Sequence, residues 1–209
     1  MEIKDIDSII FDLDGTLWDA TEIVARNWQG VIENHEEIDK KITLKDVQSV
    51  MGLQMDELGE KLLPGLTDEE RRAIIKECCN ADNNYLKEHG AKLYERVEDV
   101  LDKLSKKYKL FIVSNCGIGY IEAFYQGHKI DKYFTDFENP GRTGLSKGKN
   151  IELIVKRNNL KHPIYVGDTQ GDRDAAAEAK VPFVFASYGF GKVTDYDLKI
   201  NSFEELLKL

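Results

Sequence analysis

Four short apolar runs punctuate the chain, and each consists of consecutive hydrophobic residues without polar ones between them. Such runs are typical of strands that are buried on both faces, as in a parallel sheet covered by helices. The runs are residues 9–11, 110–113, 164–166 and 183–186, with a weaker fifth candidate at 133–137. Helix-like stretches lie between them, at 97–107, 151–159 and the alanine-rich 174–180. This alternation predicts an α/β fold with a doubly wound parallel sheet.

The stretch from about residue 18 to residue 93 breaks the alternation, because it contains no convincing strand run. Helical spacing of apolar residues appears at 21–34, 44–51 and 55–63, and Thr67 with Glu70 forms a capping box for a further helix to about residue 87. An insertion after the first strand lies at the carboxyl end of the sheet, where ligands bind in such folds. We therefore predict a core of residues 1–17 and 92–209, with a smaller helical lid of residues 18–91.

Composition and charge narrow the class of protein. The chain has 209 residues, 42% hydrophobic and 32% charged, which is ordinary for a soluble globular protein. Its net charge of -9 argues against non-specific binding of nucleic acid, which needs a basic surface. The N-terminal residues 1–5 are charged and the first apolar run is short, so neither a signal peptide nor a membrane span is expected. Three cysteines without metal-ligand spacing predict neither disulfides nor zinc, and a cytoplasmic location is expected.

The first predicted strand ends in a pair of acids. Asp12 and Asp14 flank Leu13, so both carboxylates point to one side of the strand unless the chain turns at once. Gly15 then permits the positive φ of a tight turn. Taken alone, this is equally well an Asp-Gly turn that merely ends a strand. A calcium-binding EF-hand loop fits less well, because the glycine and the closing acid are misplaced.

A second acidic cluster follows another predicted strand. Asp168 and Asp172 come after the run 164–166, and the ends of parallel strands share one edge of the sheet. Four carboxylates gathered there would repel one another unless a cation lay among them. Mg²⁺ prefers oxygen ligands of this kind. The two clusters together therefore predict a magnesium site.

Groups suited to phosphate lie at two further positions. Ser114 and Asn115 close the second long strand with a hydroxyl and an amide. Lys147 precedes a predicted helix, and its ammonium would neutralise a phosphoryl group, although Lys149 competes for that role. Each of these residues is weak evidence alone, since strand caps and solvated lysines are common.

In order and spacing, these residues resemble the four motifs of the haloacid dehalogenase superfamily of phosphohydrolases. The matching motifs are Asp12-x-Asp14-Gly15-Thr16, then Ser114, then Lys147, then Gly167-Asp168-x-x-x-Asp172. The resemblance spans nearly the whole chain and is greatest to phosphatases of the phosphoglycolate phosphatase type. It implies a Rossmann-like core, with residues 18–91 as a cap domain.

The resemblance also implies roles for individual residues. Asp12 would form an aspartyl-phosphate, and Asp14 would act as general acid and base. Asp12, Asp14 through its backbone carbonyl, Asp168 and Asp172 would bind Mg²⁺. The phosphate-binding groups would be Ser114, Asn115, Lys147, Gly15 and Thr16.

Other functions stay open at this stage. Asp14 favours phosphoester over carbon–halogen chemistry, and a phosphomutase of the same fold is less expected because its cap residues are not found. A response-regulator receiver or a silent binding module represents a different class. The expected partner is a small phosphorylated metabolite, which the sequence does not identify: phosphoglycolate, a nucleoside monophosphate and a sugar phosphate all fit. Neither nucleic acid nor a membrane is expected as a partner, and both a monomer and a homodimer fit.

Loops 51–54 and 187–191 are candidates to border the site, although a plain turn is the more expected role of loop 51–54.

Overall fold

The computed structural model of the protein describes residue 3 and residues 5–209; residues 1, 2 and 4 of the charged N-terminal stretch lie outside this part. In chain order the elements are β1 (Ser8–Phe11), β2 (Trp18–Asp19), α1 (Thr21–Ile32), α2 (Leu44–Gln48), α3 (Met55–Leu62), α4 (Asp68–His89), β3 (Lys92–Leu93), α5 (Val97–Leu104), β4 (Lys109–Val113), α6 (Tyr120–His128), β5 (Phe134–Glu138), α7 (Pro140–Thr143), α8 (Lys147–Arg157), β6 (Pro163–Gly167), α9 (Gln170–Glu178), β7 (Phe183–Ala186) and β8 (Leu198–Ile200). Short 3₁₀ helices lie at Asp131–Tyr133 and Phe203–Lys208.

Six strands form one sheet in the order β5-β4-β1-β6-β7-β8, and every neighbouring pair is parallel. Consecutive residues of a strand face opposite sides of the sheet. Accordingly, Phe11 and Ile112 pack in one hydrophobic cluster, whereas Ile10 and Phe111 pack in a second cluster on the other face. Burial on both faces explains why β1, β4, β6 and β7 contain continuous apolar runs, whereas β5 and β8 at the two edges of the sheet are mixed. The predicted doubly wound α/β fold is confirmed.

The helices α1–α4 form what we call the helical segment, residues 21–89. Helix α4 packs against α1 and α3 within the segment and against α6 of the remainder of the chain. Its first turn has the predicted capping box, in which the Thr67 hydroxyl accepts from the backbone of Glu70 and the Glu70 carboxylate accepts from Thr67. Trp28 and Leu86 of the segment share one hydrophobic cluster with the sheet residue Phe11. The division into a core and a cap domain stays a prediction.

Some elements differ from the sequence-based expectation. Residues 18–93 were expected to contain no strand, but β2 and β3 pair antiparallel at Trp18 and Leu93. Each of these strands has two residues, which is too short for a hydrophobic pattern. Helices α8 and α9 begin at Lys147 and Gln170, about four residues before the predicted starts. Within the described part of the chain, no helix combines the length and the apolar character that crossing a membrane requires.

Candidate active site

Three neighbouring strands bring the predicted site residues to one edge of the sheet. Asp12 follows β1, Ser114 follows β4 and Asp168 follows β6, and β1 lies between the other two strands. Phe11 is in register with both Ile112 and Val166, so the three strand ends are nearly level. All three polar side chains are buried, with exposed fractions of 0–3%. The topology therefore brings together residues that are separated by up to about 150 positions.

Lys147 is the buried cation of this cluster. Its Nζ donates to Asp12 Oδ1 at 2.8 Å and to Asp172 Oδ1 at 2.6 Å. These two carboxylates raise the pKa of Lys147 despite its burial, so it stays protonated. Lys149, the competitor in the sequence, is exposed and pairs with Glu152 at 2.8 Å. The geometry thus favours Lys147 as the lysine of the site.

Asp172 lies in the first turn of α9 and is oriented by the start of that helix. Its Oδ2 accepts from the backbone N–H and the hydroxyl of Thr169, at 2.9 and 2.7 Å, which leaves Oδ1 for Lys147. Burial alone would raise the pKa of Asp172, but Lys147 and the Thr169 donors outweigh it and lower the pKa. Asp172 is therefore ionised.

Asp168 is also held by specific donors, although it does not contact Lys147. Its Oδ2 accepts from the backbone N–H of Phe190 at 2.7 Å, and its Oδ1 accepts from the Thr16 hydroxyl at 3.3 Å. Burial and the neighbouring charges of Asp172 and Asp12 raise the pKa of Asp168 well above its usual value. Lys147 and the hydrogen bond from Phe190 offset this rise only in part.

The donor set fits a divalent cation. One carboxylate oxygen from each of Asp12, Asp168 and Asp172 lies within 4.8 Å of the others, and all three residues are buried. Lys147 offers one positive charge against these three carboxylates. Buried carboxylates in excess of their cations are costly unless a metal ion neutralises them, and Mg²⁺ prefers such oxygen ligands. The residues present therefore fit the predicted magnesium ion.

Asp14 is oriented by a tight turn and by a tyrosine. The turn is closed by Gly15 N–H to Trp18 O at 2.9 Å, and Gly15 has a φ of 84°. A Cβ on Gly15 would lie 2.3 Å from Asp168 Oδ2, so only glycine allows the two acidic strand ends to meet. Tyr120 donates its hydroxyl hydrogen to Asp14 Oδ1 at 3.0 Å. Burial and the charge of Asp12 raise the pKa of Asp14 to about 8, so it holds a proton at neutral pH.

Two predicted phosphate-binding side chains are already bound to protein groups. Asn115 donates its amide hydrogen to Gly52 O at 2.8 Å and thereby connects the strand end to the loop before α3. The Thr16 hydroxyl donates to Asp168. Ser114 is buried beside Asp12 and lines the same cavity as Asp12 and Asp14.

That cavity, of about 50 Å³, lies between the strand ends and the helical segment. Met51, Gly52 and Leu53 line it, so loop 51–54 borders the site in addition to joining two helices. Loop 187–191 also borders the site, since the backbone N–H of Phe190 donates to Asp168.

Three polar side chains at or near the site were not predicted from the sequence. They are Tyr120 on α6, Tyr165 on β6 and Asp82 on α4. Tyr165 donates to Val113 O at 2.8 Å and lies 3.3 Å from Asp172 Oδ1. Its position inside a buried apolar run was a usable signal, because a buried tyrosine hydroxyl needs a partner. Tyr120 and Asp82 had no comparable signal in their surroundings.

Comparison with known proteins agrees with this site. A model of the family described as haloacid dehalogenase-like hydrolase matches residues 9–186. A phosphoglycolate phosphatase of Aliivibrio fischeri is 25% identical over 199 residues, which cover 90% of this chain and 86% of that protein.

Two solved structures show the same fold. One, described as a predicted phosphoglycolate phosphatase from Haemophilus somnus, superposes with a TM-score of 0.85 at 21% identity and covers 99% of both chains. The other, a haloacid dehalogenase-like hydrolase from Bacteroides fragilis, gives 0.84 at 21% identity, over 97% of this chain and all of the other. Because the family model spans most of the chain, this protein is an enzyme of the haloacid dehalogenase-like hydrolase family, as its motifs predicted.

Proposed function

We propose that this hydrolase is a magnesium-dependent phosphatase that cleaves small phosphate monoesters through an aspartyl-phosphate on Asp12. The observation that carries the proposal is the convergence of Asp12, Asp168 and Asp172 within 4.8 Å, with Lys147 bound to two of them. A cluster of acids with one cation at the end of a parallel sheet suits the binding and transfer of an anionic group. The curated relative from Aliivibrio fischeri, a phosphoglycolate phosphatase, also supports phosphatase chemistry.

Asp12 is the proposed nucleophile. Burial raises its pKa and Lys147 partly offsets this, so that the pKa is about 6 and the carboxylate is ionised at neutral pH. An oxygen of Asp12 attacks phosphorus, and the bond between phosphorus and the alcohol oxygen breaks. Water then attacks the phosphorus of the aspartyl-phosphate, which releases inorganic phosphate and restores Asp12.

Asp14 is the proposed acid and base for these two steps. With a pKa of about 8 it holds a proton at neutral pH and donates it to the departing alcohol oxygen. The resulting carboxylate then accepts a proton from the attacking water. Tyr120 orients Asp14 through its hydrogen bond to Oδ1.

Positive and polar groups bind the transferring phosphoryl group. Lys147 and Ser114 lie beside Asp12 and are proposed to hold phosphoryl oxygens, together with backbone N–H groups of Gly15 and Thr16. Asp12, Asp168, Asp172 and the backbone carbonyl of Asp14 would bind Mg²⁺, which neutralises charge between the carboxylates and the phosphate when bound. Phosphoryl transfer depends mainly on such positioning and electrostatic stabilisation.

The helical segment is proposed to act as the cap. It supplies Met51, Gly52 and Leu53 to the cavity wall and so separates the leaving group from solvent. The proposed setting is the cytoplasm, with a small phosphorylated metabolite as substrate and a monomer or homodimer as the assembly.

The test is phosphate release from p-nitrophenyl phosphate with Mg²⁺ by the wild type, Asp12→Asn and Asp174→Asn. Asp174 is exposed and bonds only to Gln170 among the described contacts, so its variant controls for loss of a charge near the site. We expect the wild type and Asp174→Asn to be active and Asp12→Asn to be inactive. Wild-type activity in Asp12→Asn would rule out Asp12 as the nucleophile. Magnesium binding without turnover of any ester would favour a phospho-acceptor or binding domain.

A further inference from the structure

The cavity beside Asp12 and Asp14 is small and is lined mainly by apolar side chains. Its wall on the side of the helical segment includes Val24, Leu53 and Leu58. Since the nucleophile and the proposed acid line the opposite wall, the alcohol part of the substrate must occupy this space.

The cavity volume limits the size of that alcohol. The volume is about 50 Å³, and a single water needs about 10–15 Å³ of such space. In this arrangement the cavity therefore accepts about three to five water-sized groups. A two- or three-carbon alcohol fits within it, whereas a nucleoside or hexose would extend beyond it.

The described lining of the cavity contains no basic side chain. Among the described lining residues, the carboxylic acids are Asp12, Asp14 and Asp82, and none is lysine, arginine or histidine. Lys147 does not line the cavity and is already bound to two carboxylates. A leaving group with a carboxylate of its own would thus be buried beside acids without a counterion, which is costly.

Asp82 is a buried acceptor at the apolar end of the cavity. It is 2% exposed, and its oxygens accept from Trp28 Nε1 at 2.5 Å and Asn27 Nδ2 at 3.0 Å. Each carboxylate oxygen has two lone pairs, so each retains capacity for one more donor. A hydroxyl or ammonium group on the substrate would supply such a donor.

The cations of α4 lie outside this space. Arg71, Arg72 and Lys76 line a separate, wider groove of about 520 Å³. The residues that line both spaces, and so lie between them, are Met55, Cys79 and Gly117. Arg72 is moreover paired with Asp56 at 3.1 Å. These cations do not supply a counterion inside the cavity.

Resting on the phosphatase activity proposed above, we propose that the substrate is the phosphate ester of a small alcohol that carries a hydrogen-bond donor and no negative charge, with Asp82 as the acceptor. The proposed substrate differs from phosphoglycolate, after which the Aliivibrio fischeri relative is named, because the leaving group of phosphoglycolate is an anion.

The test compares three esters that differ mainly at the far end of a two-carbon unit: 2-hydroxyethyl phosphate, O-phosphoethanolamine and phosphoglycolate. Release of phosphate with Mg²⁺ gives kcat/KM for each, and p-nitrophenyl phosphate reports phosphatase activity independently. We expect both donor esters to exceed phosphoglycolate by at least about tenfold. Equal or faster turnover of phosphoglycolate would overturn the inference and leave the phosphatase function intact. Turnover of p-nitrophenyl phosphate with none of the three esters would overturn it as well. No turnover of any ester would refute the phosphatase function itself.

A variant pair tests the role of Asp82 in that preference. Asp82→Asn removes its charge, so the ratio of kcat/KM for O-phosphoethanolamine to that for phosphoglycolate should fall several-fold. Glu69→Gln removes one charge from an exposed position of the same helix and should leave the ratio unchanged. An unchanged ratio in folded Asp82→Asn would remove Asp82 from the proposal. The wild-type comparison of esters remains decisive if that variant does not fold.

Discussion

The buried carboxyl of Asp82 should make the stability of the protein fall as the pH rises. Burial in α4 raises the pKa of Asp82 from 3.8 to about 7, although the hydrogen bonds from Trp28 and Asn27 lower it in part. The folded protein therefore binds this proton more tightly than the unfolded chain does. The contribution of Asp82 to stability is fully present below pH 3.8 and is lost as the pH rises through about 7.

The size of the effect follows from the pKa difference. A rise from 3.8 to about 7 corresponds to about 4 kcal/mol in total. Between pH 5 and pH 8 the expected loss is about 2–3 kcal/mol, because part of the range lies below pH 5 and titration is nearly complete at pH 8. Asp82→Asn cannot ionise, so its stability should lack this part of the pH dependence.

The assay is urea unfolding at pH 5 and pH 8, followed by far-ultraviolet circular dichroism, for the wild type, Asp82→Asn and Glu69→Gln. From pH 5 to pH 8, the wild type should lose about 2–3 kcal/mol more unfolding free energy than Asp82→Asn does. Other titrating groups cancel in this difference. Glu69→Gln, on the exposed side of α4, should match the wild type. Identical pH dependence in all three proteins would refute the reasoning.

Three further predictions concern the site. Lys147→Met removes the ammonium shared by two buried carboxylates, so the rate of hydrolysis of p-nitrophenyl phosphate should fall at least about 100-fold, while Lys149→Met should remain close to the wild type. Gly15→Ala should lower the unfolding free energy measured in urea by more than about 1 kcal/mol, because Gly15 has a φ of 84° and the added Cβ would contact Asp168. Gly30 lies in α1 and has no atom within 4 Å of an added Cβ, so Gly30→Ala should raise the unfolding free energy by about 0.5–1 kcal/mol. Mg²⁺ should raise the Tm of the wild type but not of Asp168→Asn.

Each of these predictions has a contradicting result. Equal activities of the two lysine variants would mean that the buried ammonium does not act on the phosphoryl group. A Gly15→Ala protein as stable as the wild type would mean that the close approach to Asp168 is not required. The same Tm increase in Asp168→Asn as in the wild type would place the metal elsewhere.

The architecture was predictable because strands that are buried on both faces contain continuous apolar runs, which can be recognised in the sequence. Strands β1, β4, β6 and β7 contain continuous apolar runs, and acids follow closely after two of them. Parallel topology then places the acids on one edge, whatever their separation in the chain. Strand β8 was not predicted, because it has three residues at the sheet edge, one of them buried, and contains no apolar run.

The orientation of individual side chains was less predictable, because tertiary contacts determine it. Asn115 is bound to Gly52, a residue 63 positions away, rather than directed at the nucleophile. Tyr120 reaches Asp14 across 106 positions, from helix α6, whose place beside α4 is set by tertiary packing. Asp82 was one acid among many in a polar helix. Its burial depends on how α4 packs against α1.

The claim that Asp12 carries the phosphoryl group is tested most directly by trapping the intermediate. Wild-type protein turning over p-nitrophenyl phosphate with Mg²⁺ would be quenched, treated with borohydride and digested for peptide mass spectrometry. Borohydride reduces an acyl phosphate to an alcohol, whereas a free carboxylate does not react. We predict a reduced side chain at Asp12, dependent on both substrate and Mg²⁺, with Asp14 unmodified. Phosphate release accompanied by reduction at another residue would contradict the account.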